Sequence, residues 1–276
     1  MEAFTNIRAL IIDMDGVLWH GSEPMPGLVE FFQTLREQKL PFILATNNAR
    51  STASQYVTKL AHMGVTVALE EVLTSSMATA FYLSEHFDPE TTRIFVVGEE
   101  GATEPLLERG FTLTGVYELG EGQGADVVVC GMDQTLNWDK LATATLNIRA
   151  GAKFVGTNAD VTLPTERGLT HGNGAILAAL TAATGVTPVT IGKPEPIMYQ
   201  QALSILGADT ASTVAIGDRL DTDILGAVNT GIRSLMVLSG VSSEGDIARA
   251  DYKPTWVLSD IIEVTLALRG ESVAWR

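Results

Sequence analysis

Short apolar, β-branched runs alternate along this chain with stretches of helical period, which predicts an α/β fold with a mainly parallel sheet. Two further observations refine that expectation. Four of the runs stop abruptly at acidic, amide or lysine-bearing turns, and such strand ends converge at the carboxyl edge of a parallel sheet. Between about residue 80 and residue 186 the same alternation continues with no chemical motif of paired acids. The economical arrangement is a discontinuous Rossmann-like core, residues 1–80 plus 187–276, with a smaller α/β module of residues 81–186 inserted between its halves.

The elements follow in order. Leu10–Ile12, Phe42–Leu44, Val189–Ile191, Val214–Ile216 and Leu235–Leu238 are predicted strands of the core. Between the first two, Leu28, Phe31, Phe32 and Leu35 recur at i, i+3, i+4 and i+7, giving a helix with one buried face. Tyr56, Val57 and Leu60 predict a second helix, with Ser51 as its N-cap. In the inserted module, Arg93–Gly98, Asp126–Cys130 and Lys153–Gly156 read as strands and Trp138–Ala150 as a helix, with Trp138 and Phe154 in its core.

With 276 residues, 46% hydrophobic and 18% charged, the chain has ample material for a globular core. Its formal charge of -15 argues against nucleic acid or an anionic membrane as a broad-surface partner. An anionic substrate would need positive charge supplied locally. Cys130 is the single cysteine, so no intramolecular disulfide forms, which suits a reducing compartment. Met1–Asn6 lacks the basic and apolar parts of a signal peptide, and the longest apolar run, Ala175–Ala183, falls short of the ~20 residues that span a bilayer. A cytoplasmic protein is expected.

The chemistry lies in four segments. In Ala9-Leu10-Ile11-Ile12-Asp13-Met14-Asp15-Gly16, two carboxylates spaced i, i+2 project on one side just past a strand. Like charges that close repel unless a cation neutralises them, so the pair suits a hard divalent ion with one carboxylate left for chemistry. Thr46-Asn47-Asn48 ends the second strand in a hydroxyl and two amides, groups that hold phosphate oxygens without adding negative charge. Gly192-Lys193-Pro194 places one ammonium at a strand end; it is no P-loop, because Thr187 and Pro194 stand where that motif needs Gly and Ser or Thr. Gly217-Asp218-Arg219-Leu220-Asp221-Thr222-Asp223 ends a further strand in more acids; a carboxylate from each of two neighbouring strand ends suits Mg²⁺, while Asp221 and Asp223 also fit helix-terminal capping.

Taken together, the four segments resemble the motifs of the haloacid-dehalogenase superfamily of phosphotransferases. Asp13-Met14-Asp15-Gly16-Val17, Thr46-Asn47, Lys193-Pro194 and Gly217-Asp218 with Thr222-Asp223 stand in that family's order. The insertion between the second and third motifs, with Thr157-Asn158-Ala159-Asp160 and Gly172-Asn173-Gly174-Ala175, is similar to the NagD-like and p-nitrophenyl phosphatase branch, which carries an α/β cap. The resemblance implies a Mg²⁺-dependent phosphatase of small phosphomonoesters such as nucleotides, sugar phosphates, phosphoglycolate or pyridoxal phosphate. It implies Asp13 as nucleophile, Asp15 as general acid and base, and Lys193 as charge partner. Thr46, Asn47 and Asn48 would bind phosphate. The metal would be held by Asp13, the main-chain carbonyl of Asp15 and Asp218, with Asp223 in support. The loop Asn158–Arg167, including Asn158 and Asp160, is the expected site of leaving-group recognition, and a homodimer through the cap follows from family habit.

Rival readings are weighed on context. A phosphomutase or phosphotransferase would share the aspartyl-phosphate, but the span Gly16–Pro41 is short for the helical cap such mutases carry. A non-catalytic interaction protein on the same scaffold predicts erosion of the acids or of Lys193, and none is eroded. Gly120–Ala125 fits a dinucleotide glycine pattern but precedes a strand instead of following one. His20, His62, His86 and His171 show no metal-ligand spacing.

Overall fold

In the computed structural model, residues 3–120, 122–165 and 167–276 are described. The chain divides into two compact units. The first comprises residues 1–46, 54–73 and 193–276; the second comprises 47–53 and 74–192.

The first unit is built on a six-stranded sheet. Its order is Trp256–Leu258, Arg233–Val237, Thr213–Gly217, Ala9–Ile12, Phe42–Thr46, Val72–Thr74. Ala9–Ile12 lies parallel to both neighbours, with Ile12 opposite Ile216 on one side and Leu44 on the other. Ala9–Ile12, Phe42–Thr46 and Thr213–Gly217 are buried along their whole lengths, which is why they read as unbroken apolar runs. From Ala9–Ile12 the chain winds outward in one direction through Phe42–Thr46 and Val72–Thr74. It resumes on the opposite side through Thr213–Gly217, Arg233–Val237 and Trp256–Leu258. The reversal therefore falls between Ala9–Ile12 and Thr213–Gly217, and open α/β sheets bind ligands outside the carboxyl ends of such strands.

The helix Leu28–Glu37 buries Leu28, Phe31, Phe32 and Leu35 as its spacing requires. Each such side chain taken from water contributes ~1.5–3 kcal/mol. Between Gly16 and Pro41 the chain forms only this helix and a hairpin of Trp19–His20 with Glu23–Pro24, so no further module is inserted there. The second helix begins at Ala53, two residues beyond Ser51, which is therefore not its N-cap; Tyr56 and Leu60 are buried and Val57 half-buried.

The second unit carries a five-stranded parallel sheet ordered Val189–Thr190, Lys153–Gly156, Val127–Cys130, Arg93–Val97, Thr112–Leu113. Val189–Thr190 is a strand as its β-branched residues predict, but it pairs with Lys153–Gly156 and so belongs to this sheet and not to the first. Cys130 and Phe154 pack in the core with Ile148, Ile176, Leu177 and Leu180. Trp138 departs from expectation. It opens the helix Trp138–Arg149 on an outward-facing position and is 81% exposed. An antiparallel hairpin of Thr162–Thr165 with Gly168–His171 completes the unit; Glu166, within the expected recognition loop, and Glu121, within the glycine-rich stretch, lie outside the described residues. No helix among the described residues is long and apolar enough to cross a membrane.

Candidate active site

Two strand ends of the first sheet, the turn Leu220–Ile224 and one incoming loop assemble a charged cluster. Asp13 directly follows Ala9–Ile12, and its backbone N–H donates to the Ile216 carbonyl at 2.8 Å, so the parallel ladder runs up to the carboxylate. Lys193 enters from the turn before the helix Pro196–Leu206. Its Nζ donates to Asp13 Oδ1 at 2.5 Å, Asp223 Oδ1 at 2.7 Å and the Ala45 carbonyl at 3.0 Å. Only 3% of Lys193 is exposed.

Asp218 follows Thr213–Gly217 and is almost wholly buried. Its Oδ2 accepts the Val241 N–H at 2.7 Å, while Oδ1 is buried and has no hydrogen-bond partner among the described residues. The loop Ser239–Val241 makes the fit possible. A Cβ at Gly240 would lie 1.9 Å from Asp218 Oδ2, and one at Gly16, where φ is +83°, would lie 2.5 Å from the same atom. Any side chain at either position would displace the carboxylate. Ser239 Oγ donates to the Gly16 carbonyl at 2.8 Å, tying the two glycine turns together.

Asp223 sits on a single π-helical turn, Leu220–Ile224, a widened geometry that is common at functional sites. Its Oδ2 accepts the Arg219 N–H at 3.1 Å, and its carbonyl accepts the Tyr199 hydroxyl at 2.9 Å. Asp221 points outward and pairs with Arg219.

The electrostatics are those of a site short of positive charge. Asp13, Asp218 and Asp223 each offer an oxygen within 4.8 Å of the others, against the one ammonium of Lys193. Burial pushes the Asp13 carboxyl well above the usual carboxylate range; Lys193 pulls it down, while Asp223 and Asp218 add to the rise. Burial, reinforced by Asp223, carries Asp218 up to about 7. Burial pulls the Lys193 ammonium down, but Asp13 and Asp223 outweigh it and hold the group well above the ordinary lysine value. A divalent cation fits this set. It would meet an orphaned buried oxygen on Asp218 and relieve the repulsion among three acids, all hard oxygen donors.

The remaining sequence candidates fall in two places. Asp15 is exposed, outside the three-carboxylate cluster, and its Oδ1 accepts the Trp19 Nε1–H at 2.7 Å. Thr46 is buried at the end of its strand, next to the Ala45 carbonyl that Lys193 bonds. Asn47, Asn158 and Asp160 come together in the second unit. Asn47 Nδ2 donates to Asp160 Oδ1 at 3.1 Å, and Asn158 Nδ2 donates to the Asn47 carbonyl at 2.8 Å. Asn158 is itself fixed by Asn173, whose Nδ2 donates to the Asn158 carbonyl at 2.8 Å. Asn48 Oδ1 accepts the Arg50 N–H at 3.0 Å, closing a turn. All four histidines are exposed. Trp19, Tyr199 and the Ser239–Val241 loop also serve this region, and nothing in the local sequence sets them apart from ordinary core aromatics and a turn.

Residues 10–112 match the family described as haloacid dehalogenase-like hydrolase, and residues 190–264 match a second HAD-hydrolase-like family. The 5'-nucleotidase YutF of Bacillus subtilis is 37% identical over 93% of this chain and 96% of its own length. An acid sugar phosphatase of Staphylococcus saprophyticus is 38% identical over 94% of this chain and 97% of its own. Among solved structures, a glycerol phosphate phosphatase from Mycobacterium tuberculosis, in complex with magnesium, superposes with a TM-score of 0.85 at 37% identity, covering 93% of this chain and 76% of that one. The chain belongs to the haloacid dehalogenase-like hydrolases, in their NagD-like group of phosphatases that act on small phosphomonoesters.

Proposed function

We propose that this phosphatase is Mg²⁺-dependent and passes the phosphoryl group through an aspartyl-phosphate on Asp13. The observation that carries the reading is the 2.5 Å contact between Lys193 Nζ and Asp13 Oδ1 inside a cluster of three carboxylates. The cluster demands a cation and holds one carboxylate at the end of the central strand, ready to act as nucleophile.

Asp13, Asp218 and Asp223, with the main-chain carbonyl of Asp15, are the groups that would hold Mg²⁺. Bound there, the ion neutralises phosphate charge and fixes its orientation. A carboxylate oxygen of Asp13 attacks phosphorus in line, and the ester P–O bond breaks. Asp15 gives its proton to the departing alkoxide, then takes one from the water that attacks the aspartyl-phosphate. The second P–O bond breaks, releasing inorganic phosphate and restoring Asp13. Lys193 offsets the charge between Asp13 and the phosphoryl oxygens, and Thr46, Asn47 and Asn48 hold the oxygens that do not react.

The test is a panel of nucleoside monophosphates, sugar phosphates, glycerol phosphate and p-nitrophenyl phosphate, ranked by kcat/KM. Hydrolysis is expected with Mg²⁺ and should vanish when a chelator removes it. Absence of turnover on every member in Mg²⁺ would remove the reading. Choice among leaving groups is assigned to the segment 158–167, whose replacement is expected to reorder the panel; an unchanged order excludes it from specificity. The lone, buried Cys130 supports a reducing compartment, the cytoplasm.

A further inference from the structure

Asp15, unlike the buried Asp218 and Asp223, is an exposed side chain, yet an acid that must meet a departing oxygen needs a defined direction. Its anchor is Trp19. The chain turns back at Gly16, whose left-handed backbone lets the Gly16 N–H donate to the Trp19 carbonyl at 2.9 Å. This return brings the indole Nε1–H to 2.7 Å from Asp15 Oδ1. The indole itself is wholly buried. It stacks on Tyr56 with ring centroids 6.3 Å apart and an interplanar angle of 18°. Lys59 Nζ lies 4.0 Å from the centroid of the Trp19 ring. A cation over the face draws electron density from the indole and makes its N–H a better donor. Such a ring cannot follow a wandering carboxylate, so the carboxylate must come to it.

We infer that Trp19 is a positioning residue for Asp15, holding Oδ1 so that the transferable proton resides on Oδ2 and faces the leaving group. An indole N–H only donates, so Oδ1 is kept as an acceptor in both protonation states. The same contact therefore serves the acid step and the later water-activating step. The inference rests on the assignment of Asp15 as general acid and base.

The test compares kcat/KM for an alkyl phosphomonoester, glycerol phosphate, with that for p-nitrophenyl phosphate. This constant reports the steps through leaving-group departure, and nitrophenolate leaves with little need of a proton. Trp19→Phe keeps the buried ring and removes the donor. General acids contribute ~10²–10⁴-fold, so losing alignment should lower the glycerol phosphate constant by roughly 10- to 100-fold and the p-nitrophenyl constant much less. Asp15→Asn should show the same discrimination more strongly. Equal losses on both substrates in Trp19→Phe, with discrimination intact in Asp15→Asn, would overturn the role of Trp19 alone. No discrimination in Asp15→Asn would overturn the acid assignment and the positioning role with it. A second measurement avoids any dependence on folding of the Trp19 variant. In otherwise native protein, Asp15→Ala should shift the Trp19 indole N–H resonance, and an unmoved resonance would overturn the contact.

Discussion

Replacing Asp13 with Asn is expected to leave a folded protein whose turnover of p-nitrophenyl phosphate falls by at least ~10⁴-fold, the scale seen when a covalent nucleophile is removed from a hydrolase. An amide of the same shape still fills the end of the Ala9–Ile12 strand but has no anionic oxygen to attack phosphorus. Stability should be unchanged or higher. Asp13 shares its pocket with Asp218 and Asp223, so removing one charge relieves repulsion, and Lys193 keeps its bond to Asp223. Steady-state rates and thermal unfolding of the same preparation check both halves. Turnover within ~10-fold of the native rate would take the nucleophile's role from Asp13.

Lys193→Met has the opposite thermodynamic signature. Here the buried partner of two acids is lost, and Asp13 and Asp223 face each other without an ammonium group. Breaking a buried pair from one side costs about 3–5 kcal/mol, which lowers Tm by roughly 6–20 °C in a chain of this size. Turnover should fall by ~10²–10³-fold, the loss typical when one electrostatic stabiliser is removed. Added Mg²⁺ is expected to restore part of the lost stability, because a ligand that binds only the folded form stabilises it by mass action. Losses from Lys193→Met and Asp13→Asn should not add in the double variant, since the two side chains share one contact. A Lys193→Met protein as stable as the native one in chelator would show that these acids do not depend on the ammonium.

The parts of this fold that were legible in sequence are those written locally. An apolar run ending in Asp-Met-Asp-Gly or Gly-Asp announces a buried strand and a polar end, whatever packs beside it. Leu28, Phe31, Phe32 and Leu35 announce their helix for the same reason. What escaped depends on where the fold places each residue. Nothing inside Val189–Thr190 tells which of two parallel sheets it will join, and pairing with Lys153–Gly156 decided it. Trp138 looks like core by size, yet its place at the start of a helix turns it outward. Gly240 looks like an ordinary turn glycine until Asp218 is folded against it. Trp19 and Tyr199 are aromatic residues whose polar atoms matter only once Asp15 and the Asp223 turn are in reach.

The winding of the first sheet bears on the order in which a ribosome delivers it. The strand carrying Asp13 emerges almost at once, yet the neighbour that covers its far side, Thr213–Gly217, is made some two hundred residues later. Throughout that interval a wholly apolar strand has one unpaired edge, the feature most prone to pairing with other chains. Residues 74–192, whose five-stranded sheet draws every strand from within the segment, have all their own strand partners before the first sheet does. A nascent chain halted before residue 193 thus carries the Asp13 carboxylate but neither the Lys193 ammonium nor Asp218, and the charged cluster is complete only with the last quarter of translation.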